Sequence, residues 1–166
     1  MIELAHHSAL VPLLALVISR AKVPDCFWIF ACAFTISWFA DSAAWFFDGS
    51  WTPLRYAVVI QTALFALAFN KRVALGTAVA LAPFAVFLPD SEIATFVIGS
   101  ALVLIFARGP MTVSAILYCG LGSLFWIPML TSVGTENFMF FWYAYQATRI
   151  AAYIEFLRQV RTHASA

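Results

Sequence analysis

Long apolar runs separated by short polar breaks divide the chain into seven segments. The breaks, among them DGSWTP, LPDSE and SVGTEN, contain the Gly, Pro, Asp and Asn residues that are typical of turns. A transmembrane helix needs roughly 20 apolar residues, with a range of about 17–25. The pattern predicts an all-α transmembrane bundle of seven helices in a single integral membrane domain, residues 1–166. The predicted helices cover about residues 5–20, 26–47, 51–69, 72–88, 92–107, 111–131 and 137–158.

Charged residues alternate in sign between successive breaks, which predicts the orientation of the bundle. Every second break is basic, with Arg20, Lys22, Lys71, Arg72, Arg108, Arg158 and Arg161. The other breaks are acidic, with Asp48, Asp90, Glu92 and Glu136. Because basic loops stay on the cytoplasmic side, we expect the N-terminus outside and the C-terminus inside an inner or plasma membrane. The polar tail RTHASA, residues 161–166, is expected to fray.

The composition supports a membrane protein and excludes some functions. Of the 166 residues, 64% are hydrophobic and 10% charged, whereas soluble domains are about 45–50% apolar and about 25% charged. No basic patch is present that could neutralise phosphates, so nucleic-acid binding is not expected. The three cysteines, Cys26, Cys32 and Cys119, form no CxxC pair. We expect them to be buried as small apolar side chains.

The predicted orientation allows a three-plus-one-plus-three arrangement, in which helices 1–3 and 5–7 are parallel repeats and helix 4 is the inverting link. A slide of 87 residues places Phe69 on Phe156 and Lys71 on Arg158. The helix count and orientation resemble those of SWEET-type sugar carriers and PnuC-type vitamin carriers. The Pro-Gln dipeptide that marks such carriers does not occur in the chain.

Two charged residues, Asp41 and Arg149, lie deep within apolar segments. Asp41, in the stretch SWFADSAAWFFDG, is about two helical turns deeper than Asp48, and Arg149 lies midway along the last apolar run. A charge inside a membrane is costly and usually faces a cavity or a partner. For Asp41 the alternative is a position near headgroup water. For Arg149 the alternatives are an internal salt bridge, for which Asp41 is a candidate partner, a ligand anchor or a side chain that reaches the cytoplasmic rim.

The polar residues near Arg149 form a predicted ligand-binding site. Trp142, Tyr145, Gln146 and Arg149 recur at helical spacing on the last helix, and Gln61 lies deep in the third. With Asp41 these six residues are the candidate site. Asp48 and Arg55, both near the outer end, are a candidate ion pair. The alternatives are that Asp48 is a solvated helix end and that Arg55 reaches the outer headgroups.

The leading functional prediction is a small-solute carrier or binding protein, without catalytic residues or a metal. The alternative is an accessory subunit of a larger membrane complex, which contacts partner helices, lipid or pigment. A membrane hydrolase is a third option, because Ser37 and Asp41 match part of a zinc hydrolase site, but the clustered histidines are missing. The last apolar run has no Lys for a retinal, and His6, His7 and His163 lie near the chain ends, away from any haem site in the bundle.

The expected partners of a membrane carrier are the lipid bilayer and an unidentified small solute. Assembly into a homo-oligomer or a larger membrane complex is a further option. No cofactor is predicted apart from bound lipid or pigment.

Overall fold

The computed structural model describes residues 7–20, 22–46, 52–87 and 92–164, with backbone alone at positions 37, 40, 41, 43–46, 52–55, 84, 85 and 92. These described residues form seven helices and no strands, which confirms the all-α prediction. The helices are α1 (Val11–Ser19, after a 3₁₀ turn at Ser8–Leu10), α2 (Asp25–Phe46), α3 (Thr52–Phe69), α4 (Lys71–Phe87), α5 (Glu92–Phe106), α6 (Thr112–Thr131) and α7 (Phe138–Ala164).

Helix α7 continues past the predicted end at residue 158, so the prediction of a frayed tail is wrong up to Ala164. Val160 is buried, and the ring of His163 lies 5.1 Å from that of Phe27. On the exposed face, Arg158 Nε donates to Glu155 Oε2 at 2.7 Å. The ring contact packs the last turn of α7 against the start of α2, and the ion pair supports the helix from its exposed face.

The lengths and compositions of the helices bear on the predicted membrane spans. Among the described residues, Thr112–Thr131 is the one helix long and apolar enough to cross a bilayer on its own. Shorter apolar helices are Ser8–Ser19, Asp25–Ile36, Tyr56–Phe69 and Ile93–Phe106. The chain is therefore a helical protein with one candidate membrane-spanning helix in its described part. The topology of seven spans stays a prediction.

The main helix contacts follow a closed order. Helix α1 packs against α2 and α7, α3 packs against α2 and α5, and α6 packs against α5 and α7. Helix α4 packs against α3 and α5, while Leu75 and Val79 on its other face are exposed. The order α1, α2, α3, α5, α6, α7 thus forms a ring, and α4 lies outside it.

The buried apolar side chains form two clusters at different depths. The larger includes Phe30, Phe34, Phe65 and Phe156 and lies toward the end where α2, α4 and α6 begin, which we call the basic end. The smaller cluster lies toward the opposite end and contains Val58, Phe96, Trp126, Met129 and Tyr145. Val58 of α3 belongs to the smaller cluster and Phe65 to the larger, so a layer of the bundle at the middle of α3 lies between the two clusters.

The cysteines differ from the prediction in one case. Cys119 is buried and Cys26 is partly buried, but Cys32 is exposed. Phe30 and Phe34 face the core, and position 32 is two residues from each, which turns it to the opposite side of α2.

Candidate functional site

Polar side chains fill the layer between the two apolar clusters. Gln61, midway along α3, is 5% exposed, while Gln146 and Arg149 of α7 are 8% and 1% exposed. This burial places the Arg149 side chain inside the bundle and not at the cytoplasmic rim, which was one of its three alternatives. A buried guanidinium is costly unless its donors meet acceptors or aromatic faces.

Three tyrosines surround Arg149. Its Nε donates a hydrogen bond to the hydroxyl oxygen of Tyr153 at 3.1 Å. Its guanidinium carbon lies 5.3 Å from the ring centroid of Tyr145 and 5.9 Å from that of Tyr118. Tyr118 belongs to the larger apolar cluster and Tyr145 to the smaller one. Arg149 therefore links the two clusters through cation–π contacts.

Gln61 joins three helices at the same depth. Its Nε2 donates to the carbonyl oxygen of Ala33 on α2 at 3.0 Å and to the hydroxyl oxygen of Tyr118 on α6 at 2.8 Å. Both hydrogens of this amide nitrogen thus have acceptors. Gln61 thus holds the hydroxyl of Tyr118, and the ring of Tyr118 lies beside Arg149.

Gln146 has an acceptor that the described residues do not use. Its Oε1 is buried and has no hydrogen-bond partner within the described part of the chain. Gln146 precedes Arg149 by three residues, so the two side chains project from the same face of α7. Leaving a buried polar group unsatisfied costs about 1–3 kcal/mol, and an N–H or O–H group of a solute would relieve this cost.

A wide turn in α6 carries Tyr118. Residues Ile116–Leu121 form a π-helix, in which each carbonyl accepts from the residue five positions later. Ser114, just before this turn, donates to the carbonyl oxygen of Ala152 at 2.6 Å and holds α6 against α7. Such π turns often occur at functional sites. Tyr118 was not among the site residues predicted from the sequence.

The other predicted site residues have different outcomes. Trp142 is partly buried and packs against the smaller cluster, but it is not among the three aromatic residues that contact Arg149 as described above. Asp41 is on α2, seven residues after Phe34 and therefore on the same helix face, but its side chain is outside the described part. Arg55 is likewise described by backbone alone, and Asp48 lies outside the described residues. The pairs Asp48–Arg55 and Asp41–Arg149 therefore remain predictions.

The described residues contain no group of three or more His, Cys, Asp or Glu that could hold a metal ion. The site they form is a polar layer of amide, guanidinium and phenol groups. The sequence matches no protein-family model, and comparison with curated proteins and with solved structures found no match.

Proposed function

We propose that this chain is an integral membrane protein whose seven helices all cross the bilayer. The support is the distribution of side chains. Large apolar residues are exposed on the outside of several helices, for example Ile18, Leu75, Leu124, Phe140 and Ile154. The buried interior, in contrast, contains an arginine and two glutamines. Exposed apolar area of this extent is unfavourable in water and favourable in lipid.

The helix lengths support this proposal in part. At 1.5 Å per residue, the 22 residues of α2 extend about 33 Å and the 15 residues of α5 about 22 Å. The hydrocarbon core of a bilayer is about 30 Å thick. Short helices are accommodated by local thinning or by flanking residues that reach the interface. Helix α5 would need this accommodation and α2 would not.

We also propose that the bundle consists of two parallel three-helix repeats. In this arrangement α1 corresponds to α5, α2 to α6 and α3 to α7, so each contact within the ring should have an equivalent. The contact of α1 with α2 corresponds to that of α5 with α6. The contact of α2 with α3 becomes that of α6 with α7, and that of α3 with α5 becomes that of α7 with α1. All six contacts occur. The outer position of α4 fits a link between repeats.

The proposed activity is binding and carriage of a small polar solute at the Arg149 layer. The observation that carries this proposal is the convergence of polar groups from both halves. Gln61 of α3 bonds to Tyr118 of α6, whose ring lies beside Arg149 of α7. Carriers built from repeats bind their substrates near the midplane, where the repeats meet, and rock the two halves around that site.

The second candidate is a non-catalytic subunit of a larger membrane complex, in which the same layer locks the bundle. The observation that favours it is the enclosure of Arg149, which is 1% exposed and held by Tyr153 and two aromatic rings. Under this reading the layer has a structural role and no solute enters it.

Thermal stability in the presence of solutes distinguishes the two candidates. The purified protein would be melted in detergent with sugars, amino acids, nucleosides and vitamins added one at a time. Under the carrier proposal a bound solute at 100 times its Kd adds about 2.7 kcal/mol to the free energy of unfolding. This gain should disappear in Gln146→Leu and persist in Gln159→Leu, which makes the same change on α7 outside the layer. Absence of a shift with every solute, together with no uptake into proteoliposomes, would contradict the carrier.

A further inference from the structure

The aromatic rings on the basic-end side of the Arg149 layer form one contiguous group around Phe34. The centroid of the Phe34 ring is 4.8 Å from that of Tyr153, 5.1 Å from Tyr118 and 5.5 Å from Phe65. The ring of Phe156 follows at 5.8 Å. We call these five residues the aromatic cluster. Phe34 contacts each of the other four.

The aromatic cluster closes the bundle between the polar layer and the basic end. Its members come from α2, α3, α6 and α7, so they belong to both proposed repeats. Each member is at most 3% exposed. Phe30 extends the packing toward the basic end, with ring centroids 4.7 Å from Phe65 and 6.1 Å from Phe156. A solute in the layer would have to displace these rings to reach the basic end.

Two members of the aromatic cluster also contact Arg149. The hydroxyl of Tyr153 accepts a hydrogen bond from Arg149 Nε, and the ring of Tyr153 packs against the ring of Phe34. Tyr118 in the same way touches both the guanidinium and Phe34. Arg149 and Phe34 are therefore connected through either tyrosine.

We propose that the aromatic cluster is a gate that closes the solute site from the basic end, and that Arg149 controls this gate through Tyr118 and Tyr153. This inference rests on the proposed carrier function. A solute that draws Arg149 toward itself loosens the hydrogen bond to Tyr153. The two tyrosine rings then move away from Phe34, and the halves separate at the basic end. When no solute is bound, Arg149 returns to Tyr153 and the rings pack together again.

The gate is tested by the accessibility of a buried thiol between the two halves. Thr62 of α3 follows Gln61, is 1% exposed and packs against Gly99 of α5, so separation of the halves would expose it. Thr62→Cys keeps nearly the same side-chain volume. Labelling by an impermeant maleimide would be measured in inside-out vesicles, with Lys71→Cys, exposed at the start of α4, as the positive control for orientation. The background lacks the native thiols, through Cys26→Ser, Cys32→Ser and Cys119→Ala.

Three variants of the reporter protein are compared with the parent. Phe34→Ala should raise the labelling rate at position 62 roughly tenfold or more, because deletion of a fully buried ring leaves a cavity in the aromatic cluster. Phe34→Leu fills most of that space and should stay close to the parent. Tyr153→Phe keeps the ring and removes the acceptor of Arg149, so it should fold and raise the rate several-fold.

The outcomes separate the gate from the proposed function, because labelling requires no solute. Rapid labelling in the parent, or unchanged rates in both Phe34→Ala and Tyr153→Phe, would overturn the gate. A folded Tyr153→Phe protein gives this answer even if Phe34→Ala does not fold. The carrier proposal fails by a different readout, which is the absence of any solute-dependent thermal shift. If a solute that shifts the melting temperature leaves the labelling rate of the parent unchanged, the control by Arg149 is refuted.

Discussion

Replacement of Arg149 by methionine removes the most buried cation of the described chain and tests the polar layer directly. The variant loses a hydrogen bond from a charged donor to Tyr153, a type worth about 1.5–3 kcal/mol. It also loses cation–π contacts with Tyr118 and Tyr145, each worth about 0.5–2 kcal/mol. The cost of burying the guanidinium is removed as well, which offsets part of these losses. The net effect depends on whether a carboxylate is left behind.

Asp41 is the carboxylate that the register of α2 favours. It follows Phe34 by seven residues, and Phe34 faces Tyr118 and Tyr153 beside Arg149. Removing one member of a buried ion pair costs about 3–5 kcal/mol, whereas replacing both members with apolar residues can be neutral. We therefore expect Arg149→Met to lower the free energy of unfolding by about 3–5 kcal/mol. The double variant Arg149→Met, Asp41→Leu should recover most of this loss.

Equilibrium unfolding in mixed detergent micelles, followed by circular dichroism, measures these differences. The matched control is Arg158→Met, which changes an exposed arginine of the same helix paired with Glu155. Its melting temperature should equal that of the parent. If Arg149→Met is as stable as the parent, the layer does not depend on the cation. If the single change destabilises and the double change gives no recovery, Asp41 is not the partner.

Two further predictions concern topology and the hydrogen bonds of the layer. An impermeant thiol reagent applied to intact cells should label a cysteine at position 136 and leave one at position 71 unlabelled; equal labelling of both would refute the alternating orientation. In a double-mutant cycle of Gln61→Leu and Tyr118→Phe, we expect a coupling energy of about 0.5–1.5 kcal/mol in thermal unfolding, because each change removes the same 2.8 Å hydrogen bond. A coupling energy of zero would show that the two side chains act independently.

The helices could be predicted from the sequence because each break contains residues that disfavour a continued helix. The stop at Phe69 is an example, since Asn70 follows and its Oδ1 accepts from the backbone N–H of Arg72 at the start of α4. The end of α7 was missed for a physical reason. A polar tail looks unstructured when only its composition is considered, but the contact of His163 with Phe27 depends on how α7 meets α2.

Part of the candidate site was also predictable. Gln146 and Arg149 were selected because a charged or amide side chain in an apolar run must find a polar environment, and both are buried. Trp142, three residues earlier than Tyr145, fitted the same helical spacing, but the described aromatic contacts of Arg149 are with Tyr118 and Tyr145. Spacing assigns a helix face, whereas the depth of the polar layer is set by the side chains of neighbouring helices.

Tyr118 shows what the hydropathy pattern cannot predict. It lies eight residues before Trp126, so on a regular α-helix the two side chains would point about 80° apart. Both are buried, in the larger and the smaller apolar cluster respectively. The π turn at Ile116–Leu121 takes up an extra residue, which brings both rings to the inner face of α6. The hydroxyl that meets Gln61 therefore depends on a local change in backbone hydrogen bonding, and neither the composition nor the period of the apolar residues encodes that change.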